Sequence, residues 1–258
     1  MKNSYRRTVG ASYLGYIVQA VINNFVPLLF VTFQTDFNIP ISKITALISI
    51  NFLIQLFVDM LSAGFIKKVG YKAAAISANA CCAAGLILLS VLPYVLPDAF
   101  SGILICVCIY ALGGGLLEVI ISPIVEACPT KNKEKMMSLL HSFYCWGHVG
   151  VVLLSTAFFF SFGIKNWRIL SLIWALLPLT DIVIFVKAPV FVLDGDGGDG
   201  FSISELFKKK EFWLLTVMML CAGASEQAQS QWASTFAEEG LKVSKTVGDL
   251  AGPMAFAL

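Results

Sequence analysis

Long apolar runs follow one another along this chain with only short polar breaks between them. Inside hydrocarbon a backbone N–H or C=O has no water to turn to. A spanning segment must therefore satisfy its own hydrogen bonds, as a helix or in a closed barrel. The runs lack the period-two alternation of barrel strands, so they read as helices. A helix rises about 1.5 Å per residue and needs roughly 20 apolar residues to cross. Spans are predicted over Ala11–Phe33, Ile44–Ile66, Ala73–Leu92, Ser101–Ala127, Met137–Phe162, Trp167–Val186 and Phe212–Ala237. An eighth begins near Val247 and stops at Leu258. The composition agrees: 13% of residues are charged, where a soluble domain carries about 25%. The fold class is all-α integral membrane. The first span follows a short basic segment, Lys2–Arg7, has no small-residue cleavage site and is succeeded by further spans, so it is not read as a signal peptide.

Lysine and arginine are unevenly shared between the connections. With the N-terminus inside, thirteen lie in inner segments and five (Lys43, Lys165, Arg168, Lys242, Lys245) in outer ones. The excess of positive charge on cytoplasmic loops predicts a multi-pass protein of the cell membrane with a cytoplasmic N-terminus. The expected division is a six-span bundle over residues 1–187, a cytoplasmic linker over 188–210 and the start of a second bundle over 211–258. The linker contains DGDGGDG at 194–200. Asp194, Asp196 and Glu205 fall at calcium-loop positions, but Gly198 stands where a ligand is needed and Asp199 where the glycine turn is needed. A flexible linker is the better reading. Ser202–Lys210 reads as a short amphipathic helix on the inner surface. The seven cysteines lie in or at the ends of spans without CxxC spacing, so no metal, cofactor or redox role is expected.

The seventh span turns polar at GASEQAQSQW, residues 223–232. A short repeat places this stretch. TFQTDFNIPISKI (32–44) and TFAEEGLKVSKTV (235–247) both begin Thr-Phe, carry an acidic residue at the fifth position and reach Ser-Lys after a one-residue shift. Nine residues before each Thr-Phe stands a polar pair: Asn23-Asn24 in the first case, Glu226-Gln227 in the second. Parallel repeats with a site between the halves are a transporter arrangement.

Other polar residues fall three, four or seven apart and so share helix faces. The stripes are Tyr16, Gln19, Asn23; Asn51, Gln55, Asp59; Gly115, Glu118, Ser122; His141, Tyr144, His148; and Gln227, Gln231, Ser234. Such side chains are costly against lipid and are expected to face the bundle or a wet cavity. Interhelical glue explains any one of them equally well; stripes on five helices favour a shared cavity. Gly113, Gly114 and Gly115 are read as close-packing residues.

At this point the chain resembles the major facilitator superfamily. The loop between spans 2 and 3 reads AGFIKKVGYK (63–72) against the family pattern G-x-x-x-D-R-x-G-R-R. Gly70 matches, and Lys68 and Lys72 stand for arginines. Ala63 replaces the first glycine, Lys67 the aspartate and Tyr71 an arginine. GGGLLEVIISPIV (113–125) and the small, polar stretch ending in Trp232 are similar to the fucose/glucose/galactose:proton symporter group. The resemblance implies the six-helix N-terminal half of a twelve-helix fold plus helix 7 and the start of helix 8, hence an N-terminal fragment that is not expected to transport alone.

The resemblance also implies secondary active transport of a small polar solute, a sugar, coupled to protons by alternating access. Gln19, Asn23, Asn24 and Gln55 would offer hydrogen bonds from the first half, and Glu226, Gln227, Gln231 and Trp232 from the second. Amides suit hydroxyl-rich solutes because each carries donors and acceptors. Glu118 is the foremost candidate for proton coupling, with no Lys or Arg within a helical turn; Asp59 and His141 are further candidates, and Asp181 comes after Asp59. The expected partners are the solute, protons and the lipid bilayer, with no nucleic acid, in a monomer. Two rivals are an exporter or antiporter of amphipathic compounds, which calls for a more apolar cavity, and a transporter-like solute sensor. No nucleophile–base or metal constellation marks an enzyme.

Overall fold

The computed structural model describes residues 5–130, 132–191, 205 and 207–251. The calcium-like loop at 194–200, residues 202–204 and 206 of the Ser202–Lys210 segment and the chain after Ala251 lie outside these residues; within that segment Phe207 and Lys208 form a turn. The helices are α1 (Tyr5–Asn24), α2 (Phe30–Phe37), α3 (Ile41–Val69), α4 (Tyr71–Leu89), α5 (Leu92–Val95) and α6 (Ala99–Glu126). They continue with α7 (Lys133–Phe162), α8 (Trp167–Lys187), α9 (Lys210–Leu241) and α10 (Lys245–Ala251). There is no strand among the described residues. Six of the resulting rods, counting α1 with α2 and α4 with α5, are long and apolar enough to cross a membrane. They correspond to the first six spans, with ends extended by a few residues because polar and basic residues continue the helices past the apolar core. The 32-residue α9 has the length to cross. Its polar second half sets it apart from those six.

The first span departs from expectation. Ala11–Phe33 is not one continuous helix: α1 ends at Asn24, Val26–Leu29 forms a 3-10 turn, and α2 resumes at Phe30. The cause is Pro27, which has no N–H and cannot bond to the carbonyl four residues back. That carbonyl belongs to Asn23.

Small residues set the helix spacing, as anticipated for the glycine run. A Cβ at Gly113 would stand 2.5 Å from the Ala78 carbonyl of α4, and one at Gly115 would stand 2.9 Å from the Gln55 Cα of α3. Gly113 and Gly115 therefore hold α6 against two neighbours on opposite sides. Gly147 of α7 does the same against α1, where its Cβ would meet that of Ala20 at 2.9 Å. Between these contacts lies an apolar core from α1, α4, α6 and α8, with Phe25, Phe30, Phe33 and Trp167 fully buried.

The α3–α4 loop is anchored. Gly70 has φ +84°, a conformation that disfavours any side chain. The Lys72 ammonium donates to the carbonyls of Val186 (2.8 Å) and Ala188 (3.0 Å) at the end of α8. A cation at a helix C-terminus satisfies orphan carbonyls and complements the dipole.

The short sequence repeat is also a structural repeat. Asn38 after α2 and Lys242 after α9 are the two non-glycine residues with positive φ among the described residues, at 52° and 54°. In each case the next residue's N–H returns to a carbonyl six back: Ile39 to Phe33 and Val243 to Ala237. This is the left-handed helix stop that caps carbonyls. It falls one residue later in the second copy, as the one-residue shift requires. Helix α3 starts at Ile41 after the first stop and α10 at Lys245 after the second.

Candidate functional site: a cavity beside a broken helix

The polar stripes of α1, α3, α6 and α7 converge on a cavity of about 630 Å³. Gln19 and Asn23 come from α1, Gln55 and Asp59 from α3, Glu118 from α6, His141 from α7, and Glu226 and Gln227 from α9. Eight of the twelve residues singled out in the sequence are thus brought to one wall; Asp181 of α8 is not among them, being fully buried and accepting from Asn79 Nδ2 at 2.9 Å. Within it the Gln19 Nε2 donates to Glu118 Oε2 (3.0 Å) and the Gln55 Nε2 to Asn23 Oδ1 (3.0 Å). The Tyr16 hydroxyl pairs with Ser122 Oγ at 2.9 Å. Glu118 is exposed and lines this cavity.

The other three singled-out residues sit elsewhere. Gln231 is buried, and its Nε2 donates to the backbone carbonyl of Asn23 at 2.9 Å. That carbonyl is the one Pro27 leaves without its helical donor. Trp232 packs on Phe30, ring centroids 5.5 Å apart. Asn24 donates back to Ala20 in its own helix (2.9 Å) and lies in reach of the Tyr144 hydroxyl. Gln227 and Gln231 therefore do not aim their amides at the same space, although they are one turn apart. The wall also holds Tyr16, Phe52, Tyr144 and Cys145. Tyr16 and Tyr144 were legible as stripe members. Phe52 and Cys145 carried no signal, since apolar residues in a span look alike whether they face lipid or a cavity.

The opposite end of α9 is closed by a polar knot. Lys245 Nζ donates to the Leu28 carbonyl (2.6 Å), another carbonyl of the 3-10 break, and to Glu238 Oε1 (3.3 Å) and Asp249 Oδ1 (3.1 Å). Ser234 Oγ donates to the same Asp249 carboxylate, and Thr156 Oγ1 of α7 donates to its other oxygen at 3.4 Å. The ring of Phe159 lies beneath the Lys245 ammonium, 5.7 Å away. The first six spans and the α9–α10 pair therefore meet around residues 23–30 and 230–249. The cavity lies on the side of that contact toward Tyr5 and Lys133. Along α9 toward Lys210, Leu214, Met218 and Met219 are exposed.

A family model for the Major Facilitator Superfamily matches residues 12–258. The chain belongs to this superfamily. No curated protein matches the chain. As a major facilitator protein it is a multi-pass membrane transporter and not an enzyme, acting on a solute within the bilayer. A cavity between one end of the first helices and α9, sealed at the other end, is an arrangement such a transporter can use: a solute entering from the open end meets side chains of both parts. Among the described residues no cluster of His, Cys, Asp or Glu is arranged to hold a metal ion.

Proposed function

We propose that the protein carries a small polar solute of sugar size across the cell membrane, coupled to protons, and that the cavity is the solute site. The observation behind this reading is the composition of the wall. Amides of Gln19, Asn23, Gln55 and Gln227 stand beside the carboxylates of Asp59, Glu118 and Glu226. Amides read hydroxyl groups, and a carboxylate in a membrane cavity is suited to bind and release a proton. The resemblance of residues 113–125 to the sugar:proton symporter group adds the sugar. The uneven distribution of Lys and Arg supports a cytoplasmic N-terminus, which would make the cavity open inward and the Lys245 knot an outer seal.

Gln19 links the two tasks in this reading. Its amide nitrogen holds Glu118 while the rest of the side chain stays on the solute wall. Protonation of Glu118 would then change what Gln19 can offer a solute. The test is accumulation of labelled hexoses by vesicles containing the intact protein under an imposed pH gradient. Gradient-dependent accumulation supports the reading; hexose exchange that ignores pH removes the proton; transport restricted to apolar cations favours the exporter.

A further inference from the structure

Among the described residues the cavity wall has no lysine or arginine, and its one basic side chain is His141. Against this stand three carboxylates, Asp59, Glu118 and Glu226, from three different helices. The remaining titratable groups facing the space are the phenols of Tyr16 and Tyr144 and the thiol of Cys145. No fixed cation on the wall balances the acids.

The hydrogen bonds left unmade have the same sign. Gln19 is 4% exposed, and its Oε1 has no donor, because its nitrogen is turned to Glu118. Asp59 Oδ1 likewise has no donor. Both orphans on this wall are acceptors. A buried acceptor without a partner is costly, so the wall favours a ligand rich in donors. One N–H of each of the Gln19 and Gln55 amides is already engaged within the protein. A neutral polyol, whose hydroxyl groups need donors as well as acceptors, has fewer to find.

We infer that the solute carries a protonated amine, seated among Asp59, Glu118 and the Gln19 carbonyl oxygen, and that within the sugar reading it is an amino sugar or similar hydroxylated amine. An ammonium has three donors and no acceptor, which matches what the wall lacks. The aromatic rings of Tyr16, Phe52 and Tyr144 lie on the same wall, and aromatic rings suit a cation as well. The hydroxyl groups of the same solute are left to Asn23, Gln55 and Gln227. This inference rests on the cavity being the solute site.

The experiment compares matched solutes that differ in charge. Hexoses, their 2-amino-2-deoxy forms and the N-acetylated forms are competed for binding to the intact protein in vesicles. The amines are expected to bind about ten- to a hundredfold better than either neutral form, the range of a charge-assisted hydrogen bond. Asp59→Asn should abolish most of that preference, the amine falling to within a few-fold of the neutral forms in the same variant. Equal affinity for hexose and amine overturns the inference and leaves the sugar reading standing. Binding of simple amines without any sugar preserves the inference and removes the sugar reading. Binding of neither class removes both. A second measurement needs no solute. Cys145 faces the cavity, so its modification by a cationic methanethiosulfonate should outpace that by an anionic one by more than it does at a free thiol in solution, followed by mass analysis of the Cys145 peptide. A rate ratio no greater than that of a free thiol would mean that the wall carries no net negative field, and would overturn the inference.

Discussion

The two ends of the α9 contact differ in what polar groups do there. Toward Tyr5, side chains from α1, α3, α6 and α7 surround open space, and acceptors such as Gln19 Oε1 stay unpaired. Toward Lys242, Lys245, Asp249, Ser234 and Thr156 use one another and the Leu28 carbonyl. Polar groups that are mutually satisfied hold helices together; polar groups left wanting hold space for something else. The stretch GASEQAQSQW spans the change. Gln227 belongs to the first kind of environment and Gln231 to the second.

The strongest way to break this comparison is at the cavity end. Glu118→Gln keeps the shape and the partner Gln19 but removes the titrating carboxylate. Accumulation driven by a pH gradient should disappear, with solute exchange partly retained. Undiminished pH-driven accumulation would take Glu118 out of the coupling role.

At the sealed end, Lys245→Met removes the cation that faces Glu238 and fully buried Asp249. Breaking a buried pair from one side costs about 3 kcal/mol, less here because Lys245 keeps some exposure. Unfolding in detergent should show that loss, and spin-label distances between α7 and α10 should broaden as the seal opens. Adding Asp249→Asn should recover part of both. If the single variant leaves the distances unchanged, Lys245 does not seal the contact.

Gln227→Ala and Gln231→Ala put the two environments side by side. Loss of a cavity amide that pairs with a solute hydroxyl should weaken binding by roughly ten- to a hundredfold, and only for solutes that carry that hydroxyl. Loss of Gln231 leaves the Asn23 carbonyl bare, so it should lower folded yield and weaken every solute alike. Binding across a deoxy series separates the outcomes; identical profiles for both variants would erase the distinction drawn here.

The smallest expected effect on function is from Gly113→Ala, away from both ends. Its Cβ meets α4 backbone, which cannot give way cheaply. The expected cost is about 1–3 kcal/mol in thermal stability, with solute selectivity unchanged. Altered selectivity would mean that α6 shifts far enough to move Glu118.

The first six spans were legible in the residues because membrane helices satisfy their backbone locally, so a run of apolar residues is itself nearly the structure. The stripes were legible for the same reason: a polar side chain in a span must turn inward, and spacing of three or four shows which ones turn together. The repeat at 32–44 and 235–247 went further, since both copies end their helices with the same left-handed stop. Two things were not open to that reading. One was the break in the first span, where Pro27 could have been tolerated as a kink; packing against α9 and α10 takes up the Asn23 and Leu28 carbonyls and makes the break worth keeping. The other was the division of labour among the polar residues of α9. Spacing puts Gln227 and Gln231 on one face, but whether that face meets open space or a neighbouring backbone depends on where α1 is broken and how closely the helices approach, which are distances between segments far apart in the chain.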